Sequence, residues 1–393
     1  MFDTIVIGKG LIGSAAIRYL SEHSPNVAAI GPDEPDDWTT HQGVFASHYD
    51  QGRITRILDV DPVWALLAKR SIAQYRTIEA NSGINFYTQS GGLQINYNLE
   101  RVDQIECVGH QLEAEFQIFR DSAALKAGCP LFSFPEYMTG VFEDGGAGYI
   151  NPRALVAAQL TIAQQQGASI IRETVVSIAS HKSGVSVTTA EGYIYRAEKV
   201  LLAAGAYTNT LLDTPLALTL KPRTILLAEL PEPEVSRLAT LPTLMVKLKD
   251  NPHLASVYMV PGVKYPDGKI YLKMGGDLHK APEAHSFEEL QNWFNLGGSH
   301  AEVEALKSVL LDCIPTLAAA AFHQKPCVIT LTAHTYPYID TLEDGRIYVV
   351  AGGCGTSAKS SNEIGRLAAN LTHHNAWLDQ ALHAENFQAI KQS

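Results

Sequence analysis

Several features are scarce in this 393-residue chain, and each scarcity removes a class of protein. No run of about 18 apolar residues occurs, which removes a helix that crosses a bilayer. Lys and Arg number 30 against 41 Asp and Glu, a formal net charge of -11, so neither nucleic acid nor an anionic membrane surface is an expected partner. The five cysteines, at positions 107, 129, 313, 327 and 354, form no CxxC pair and no metal-ligand spacing. An odd count in a chain of this size fits a reducing compartment better than a disulfide framework, and no metal site is expected. The stretch from Met1 to Gly8 lacks a basic segment and runs straight into glycines, so it reads as a strand rather than a secretion signal. Internal repeats and low-complexity tracts are missing as well. These absences together lead us to expect a cytoplasmic protein without a membrane span.

What is present is apolar bulk and glycine. Hydrophobic residues make up 46% of the chain, enough for two ordinary domains or one large domain with an insertion. Residues 4–7 are a β-branched run of the kind that forms a buried parallel strand. An Ala-rich amphipathic helix is expected to run to about residue 22, and a second strand over 26–30. The spacing of Trp64, Leu67, Ala68 and Ile72 predicts a helix within 59–83. Residues 84–148 read as mixed, with short strands such as 92–95. Asn151 and Pro152 open a further helix to about residue 166, and strands follow at 169–172, 185–189 and 199–203. Residues 220–325 read as antiparallel strands (224–230, 255–260, 269–274) and then as helices over 287–295 and around 302–311. A strand at 346–350, a glycine-rich turn and a helix over 362–371 close the pattern. We read two interleaved domains, one discontinuous over 1–85, 148–219 and 326–393, the other over 86–147 and 220–325.

Gly8-x-Gly10-x-x-Gly13 sits after the first strand and opens the first helix. In that place Gly8 permits a tight turn, Gly10 lets the backbone approach a pyrophosphate at the helix N-terminus, and Gly13 allows close helix–strand packing. The motif serves FAD and NAD alike. A dinucleotide fold also uses an acid at the end of the second strand to hold a ribose. Here that position is Gly31, so Asp33 or Glu34 reaches back or a backbone group substitutes.

Three further segments are more specific. Ser47-His48-Tyr49-Asp50-Gln51-Gly52-Arg53-Ile54-Thr55-Arg56 is similar to the Ser-His-…-Arg-x-x-Arg stretch of the sarcosine oxidase branch of the D-amino-acid oxidase superfamily. Leu201 to Asn209 resembles that family's later flavin-domain strand with its Gly-Ala-aromatic turn at Gly205. Cys327-x-x-Thr-x-Thr and Ala351-Gly352-x-x-Gly355-x-x-x-Lys359-x-Ser361 match at the family's offsets. With the N-terminal loop, the resemblance spans nearly the whole chain. It implies an α/β FAD-binding domain, Rossmann-like and of the glutathione-reductase type, interleaved with an α+β substrate domain built on an antiparallel sheet. The first of the two domains above would then bind FAD.

The resemblance further implies FAD-dependent oxidation of a small amino acid or amine, with O2 as acceptor and hydrogen peroxide as product. Arg56 matches the arginine that binds the substrate carboxylate, and Lys359 matches its partner. A planar guanidinium fork suits a carboxylate, and a second cation adds charge compensation. Lys273 matches a lysine near flavin N5 that promotes reaction with oxygen, and Arg53 a second arginine near the ring. Tyr258 keeps an aromatic of the pocket. Cys327 matches the cysteine joined covalently to the flavin 8α-methyl. Cofactor contacts are implied at Gly8, Gly10, Leu11, Ile12, Gly13, Ser47, His48, Gly205, Cys327, Gly352, Gly355 and Lys359. Asp277 stands where the family has a histidine, Ile329 where it has a tyrosine, and Tyr49 where it has a histidine near the flavin. Sarcosine itself is therefore not the expected substrate. The competing readings are a flavin dehydrogenase with a non-oxygen acceptor, an NAD(P)-dependent dehydrogenase, and a non-catalytic flavin-binding protein.

Overall fold

A computed structural model describes residues 1–342 and 345–392. Glu343, Asp344 and Ser393, which fall in the last expected segment of the cofactor domain, lie outside the described residues.

Two large sheets dominate. In the first, the strands Ser169–Ile171, Val27–Ile30, Phe2–Ile7, Ile194–Leu202 and Ile347–Ala351 pair in that order, all parallel. Tyr338–Thr341 extends it antiparallel at one edge. Val175–His181 and Gly184–Thr189 form a hairpin that joins the N-terminal half of Ile194–Leu202, also antiparallel. Val27–Ile30, Ile347–Ala351 and the C-terminal parts of Phe2–Ile7 and Ile194–Leu202 are buried on both faces, which is why they are largely apolar runs without alternation. The helices Leu11–Ser21, Pro152–Gln165 and Ser361–His374 pack together over them. Pro152–Gln165 starts where expected because the Asn151 side chain caps the Ala154 amide and Pro152 needs no hydrogen bond there. Asp61 caps Pro62–Ser82 in the same way, three residues inside the predicted span, and Gly83 closes that helix in a left-handed conformation.

The second sheet runs in the order Ala321–Thr332, Leu218–Glu229, Ile270–Leu278, Leu254–Lys264, Thr243–Lys247, Gly92–Asn96, Thr139–Glu143, Phe116–Phe119. Every pairing is antiparallel except Thr243–Lys247 with Gly92–Asn96. One face packs on the helix His300–Cys313 through Leu306, Val309 and Leu310. The other face looks toward the first sheet across a large cavity. A small three-stranded sheet, Arg53–Thr55 with Gly148–Ile150 and Tyr87–Thr88, lies beside it. The strand Ala321–Thr332 runs through the boundary expected at residue 326.

Among the elements not foreseen, which include the strands Thr243–Lys247, Ala321–Thr332 and Tyr338–Thr341, three show why. The helix Leu99–Gln111 lies in the stretch read as mixed, because only Val102, Ile105 and Val108 mark its buried stripe. The short helix Ser122–Gly128 buries Leu125 alone. The strand Val175–His181 has a half-exposed, polar pattern that carries little periodic signal.

Candidate active site

The glycine loop has the geometry its spacing implies. Gly8 has φ of +99°, and a Cβ there would lie 2.4 Å from the Ala203 carbonyl oxygen. A Cβ on Gly13 would lie 1.9 Å from the Gly8 oxygen, so Gly13 is a packing residue beneath the loop. Helix Leu11–Ser21 begins at Gly10 with no side-chain cap, which leaves its N-terminal dipole open to an anion. His48 stands over this loop; its Nδ1 is buried without a partner and would be 3.7 Å from a Cβ at Gly10. Burial pushes the His48 imidazole down to about 4, so it is neutral at pH 7.

The acids proposed for the missing ribose contact are engaged elsewhere. Asp33 pairs with Lys9 of the glycine loop and with Arg172, and both Glu34 oxygens are held by Arg153 at 2.6 Å. Gly31 leaves room for Lys9, whose backbone nitrogen would be 3.1 Å from an added Cβ. The acids near the second strand end therefore fasten the loop to its surroundings.

Gly8, Gly10, Leu11, Ile12, Ser47, His48, Arg53, Arg56, Gly205, Tyr258, Cys327, Gly352, Gly355 and Lys359 all line one cavity of about 1100 Å³. That volume exceeds the range of about 300–1,000 Å³ usual for a single small-ligand site. It runs from the glycine loop to the open face of the second sheet. Strand alternation presents Gln94, Asn96, Met245, Lys247, Ser256, Tyr258, Gly275 and Asp277 to it.

Arg56, Asp59 and Lys359 form a compact trio in its wall. Asp59 Oδ2 accepts from Lys359 Nζ at 2.8 Å and lies 3.1 Å from Arg56 Nη2. Arg56 also donates to the Leu58 carbonyl and through Nε to Met245 Sδ at 3.1 Å. Behind the loop, buried Glu143 accepts from the Ile57 and Leu58 amides at 2.7 and 2.8 Å and fixes the turn that aims Arg56. Burial and the Arg56 charge push the Lys359 ammonium down to about 8. Burial opposes ionisation of Asp59, but Lys359 and Arg56 outweigh it and hold the carboxyl well below the usual range. With two cations to one anion, the trio carries an excess positive charge.

A second buried cluster centres on Asp50. It pairs with Arg53, accepts from Lys273 Nζ at 2.6 Å and from the Tyr265 hydroxyl at 2.8 Å. Arg53 reaches the cavity, donates to the Ser47 carbonyl at 3.0 Å and passes 3.9 Å from Cys327 Sγ. Lys273 does not line the cavity. It points to the same face as Gly275, but the turn at 50–53 covers it, and its ammonium is 1% exposed with a further bond to the Gly52 carbonyl at 2.7 Å. Burial and Arg53 push it down to about 8. The cations on the cavity wall that sequence reasoning passed over are Lys9, Arg101, Lys221, Arg223, Lys247 and Lys325. Lys325 is two residues before Cys327 on the same strand face, a spacing that alternation would have shown.

The match to a family model for FAD-dependent oxidoreductases covers residues 3–371. The chain belongs to that family. As an FAD-dependent oxidoreductase it is 26% identical over 373 residues to an N-methyl-L-tryptophan oxidase of Yersinia pestis, covering 94% of each chain. The oxidoreductase is also similar in fold to NikD, an amino acid oxidase of nikkomycin biosynthesis, at a TM-score of 0.76 and 20% identity over 99% of this chain and 98% of the other. An L-proline dehydrogenase from P. horikoshii superposes at a TM-score of 0.76 with 15% identity, covering 98% and 96%. The glycine cradle, the uncapped helix and the unpartnered His48 nitrogen fit the family's cofactor: a dinucleotide pyrophosphate would lie on residues 8–12. Among the described residues no helix is long and apolar enough to cross a membrane, and no cluster of three metal-ligating side chains occurs. The five cysteines are free thiols.

Proposed function

We propose that this oxidoreductase oxidises a small amine bearing a carboxylate (an N-methyl, cyclic or primary amino acid) to the imine, with O2 as acceptor and hydrogen peroxide as product. The observation that carries this reading is the Arg56–Asp59–Lys359 trio in the cavity wall. A substrate carboxylate adds one negative charge where one positive charge is in excess. Arg56 offers a guanidinium fork whose orientation is already set by Glu143 and the Leu58 carbonyl, so little ordering is required on binding. Tyr258 and Met245 form the wall between the trio and Gly275, and this keeps the amine-bearing carbon away from bulk water. Arg53, fixed by Asp50 and Ser47, holds a positive charge at the cavity surface where negative charge develops. When bound, FAD supplies the two-electron redox chemistry, taking a hydride equivalent from the substrate carbon and returning the electrons to oxygen.

Cys327 is the proposed attachment point. From its place in the cavity wall, its sulfur would hold FAD through a thioether to the flavin 8α-carbon. The strands of the first sheet, all within 1–85, 148–219 and 326–393, support assignment of those segments to the cofactor domain. A second reading, a dehydrogenase with a non-oxygen acceptor, is favoured by Lys273, which is withdrawn from the cavity and neutralised by Asp50.

Arg56→Ala should raise KM for a carboxylated amine by about 30-fold or more, because a charge-assisted fork is removed from a half-buried site. Unchanged turnover at low substrate would remove Arg56 as the anchor. Oxygen uptake on substrate addition separates the two acceptors: uptake matched to substrate loss supports the oxidase, whereas reduction only of an added dye supports the dehydrogenase.

A further inference from the structure

Beyond the trio, the same end of the cavity holds two more cations, Arg101 and Lys247. They come from elements far apart in sequence, the helix Leu99–Gln111 and the end of the strand Thr243–Lys247. Both are half-buried, and among the described residues neither has a carboxylate within ion-pair distance or a side-chain hydrogen bond. Burial pushes each below its usual range, and the Arg101 charge adds to the effect on Lys247.

Unpaired cations held partly out of water are costly, and structures tolerate them where an anionic ligand completes them. The neighbouring acids are already committed. Asp59 serves Arg56 and Lys359, and Asp277 accepts from Ser256 Oγ at 2.8 Å in the row Lys247–Ser256–Asp277. At this end the wall therefore presents four cations (Arg56, Arg101, Lys247, Lys359) against two anions (Asp59, Asp277), with Glu143 buried behind the Arg56 loop and held by the Ile57 and Leu58 amides. A substrate carboxylate on Arg56 and Lys359 still leaves Arg101 and Lys247 without a partner.

We propose that the substrate carries a second anionic group, a carboxylate or a phosphonate on its side chain, bound by Arg101 and Lys247. This rests on the carboxylate anchor proposed above. Arg101 and Lys247 are then specificity-determining residues. Asn96, which lines the cavity beside them and has a buried, unpartnered Oδ1, lies within the same subsite.

The test is binding to the holoenzyme, followed by the flavin absorbance difference spectrum at pH 7. Butyrate is compared with succinate, glutarate, adipate and 4-phosphonobutyrate. The best dianion is expected to bind about tenfold or more tighter than butyrate, and the tighter of the carboxylate and phosphonate arms identifies the second group. In Lys247→Met and Arg101→Gln that ratio should fall to about twofold, while Lys247→Arg should keep it. The proposal is overturned if wild-type protein binds butyrate as tightly as every dianion, or if the ratio survives both substitutions. The wild-type ratio decides the matter even if a variant fails to fold. Butyrate that binds, and is lost in Arg56→Ala, with no preference for dianions sinks the second subsite alone. No response to any carboxylate sinks the anchor with it.

Discussion

At the scale of single residues, the cavity is organised by carboxylates that hold cations in place. Asp59 keeps Arg56 and Lys359 from repelling one another, and Asp50 does the same for Arg53 and Lys273. The depressed Lys359 has a consequence in pH. Its ammonium is present below about 8 and is lost as pH rises through that value, while a bound carboxylate stays charged throughout. Butyrate affinity in the holoenzyme should therefore fall above pH 8, by up to about tenfold per pH unit. Lys359→Arg should flatten the profile, because a guanidinium keeps its charge. A flat wild-type profile from pH 7 to 10 would contradict this. Arg56 and Lys359 were legible in the sequence because each stands in a motif with its own spacing. The pairing of Lys359 with Asp59 was not, since a contact across 300 residues leaves no local trace, whereas Arg56 and Asp59 stand only three residues apart. For the same reason Arg101 and Lys247 could not be found from sequence, for they become neighbours only when a helix and a strand are folded together.

At the scale of elements, the strongest local signals were the end caps and the glycines. Asn151–Pro152, Gly83 and the loop at 8–13 each impose a conformation that few alternatives satisfy. Weakly periodic segments such as Val175–His181 were missed because a half-exposed edge strand has no apolar face to announce it. Gly365 shows the same logic between helices. A Cβ there would lie 2.5 Å from Ala15 Cβ and 2.8 Å from the Ala16 nitrogen and Ile12 oxygen, so helix Ser361–His374 crosses Leu11–Ser21 at glycine contact. Gly365→Ala should lower stability by about 1–3 kcal/mol in urea unfolding of the holoprotein. It should also weaken FAD retention, because the displaced helix carries the phosphate-facing N-terminus. An unchanged midpoint and unchanged retention would show that the helices separate without cost.

At the scale of the whole molecule, two sheets close on a shared cavity, and FAD would lie between them. A thioether at Cys327 would tether that cofactor to the second sheet while the glycine loop holds it to the first. In wild-type protein precipitated with acid, the yellow colour should stay with the pellet. In Cys327→Ser it should pass to the supernatant, and the melting temperature should then rise with added FAD, as expected for a ligand in exchange. Colour released equally from both proteins would make Cys327 a structural thiol. The general division into two lobes was readable from the change in pattern along the chain. The exact place of the seam was not, because a single strand serves both.

That strand, Ala321–Thr332, limits how this enzyme can be rebuilt. Its whole length pairs with Leu218–Glu229, and its last residues also reach Gly352 and Cys354, where a Cβ at Gly352 would strike Thr332 Cγ2 at 2.1 Å. No cut point in it separates recognition from redox chemistry. A graft that transfers substrate preference from a relative would have to bring in at least three discontiguous pieces, around 94–101, 245–277 and 321–332, with their mutual register intact. Recombination by single crossovers would mostly break that register, so new specificities in this architecture should arise by point substitution on the cavity face of the sheet.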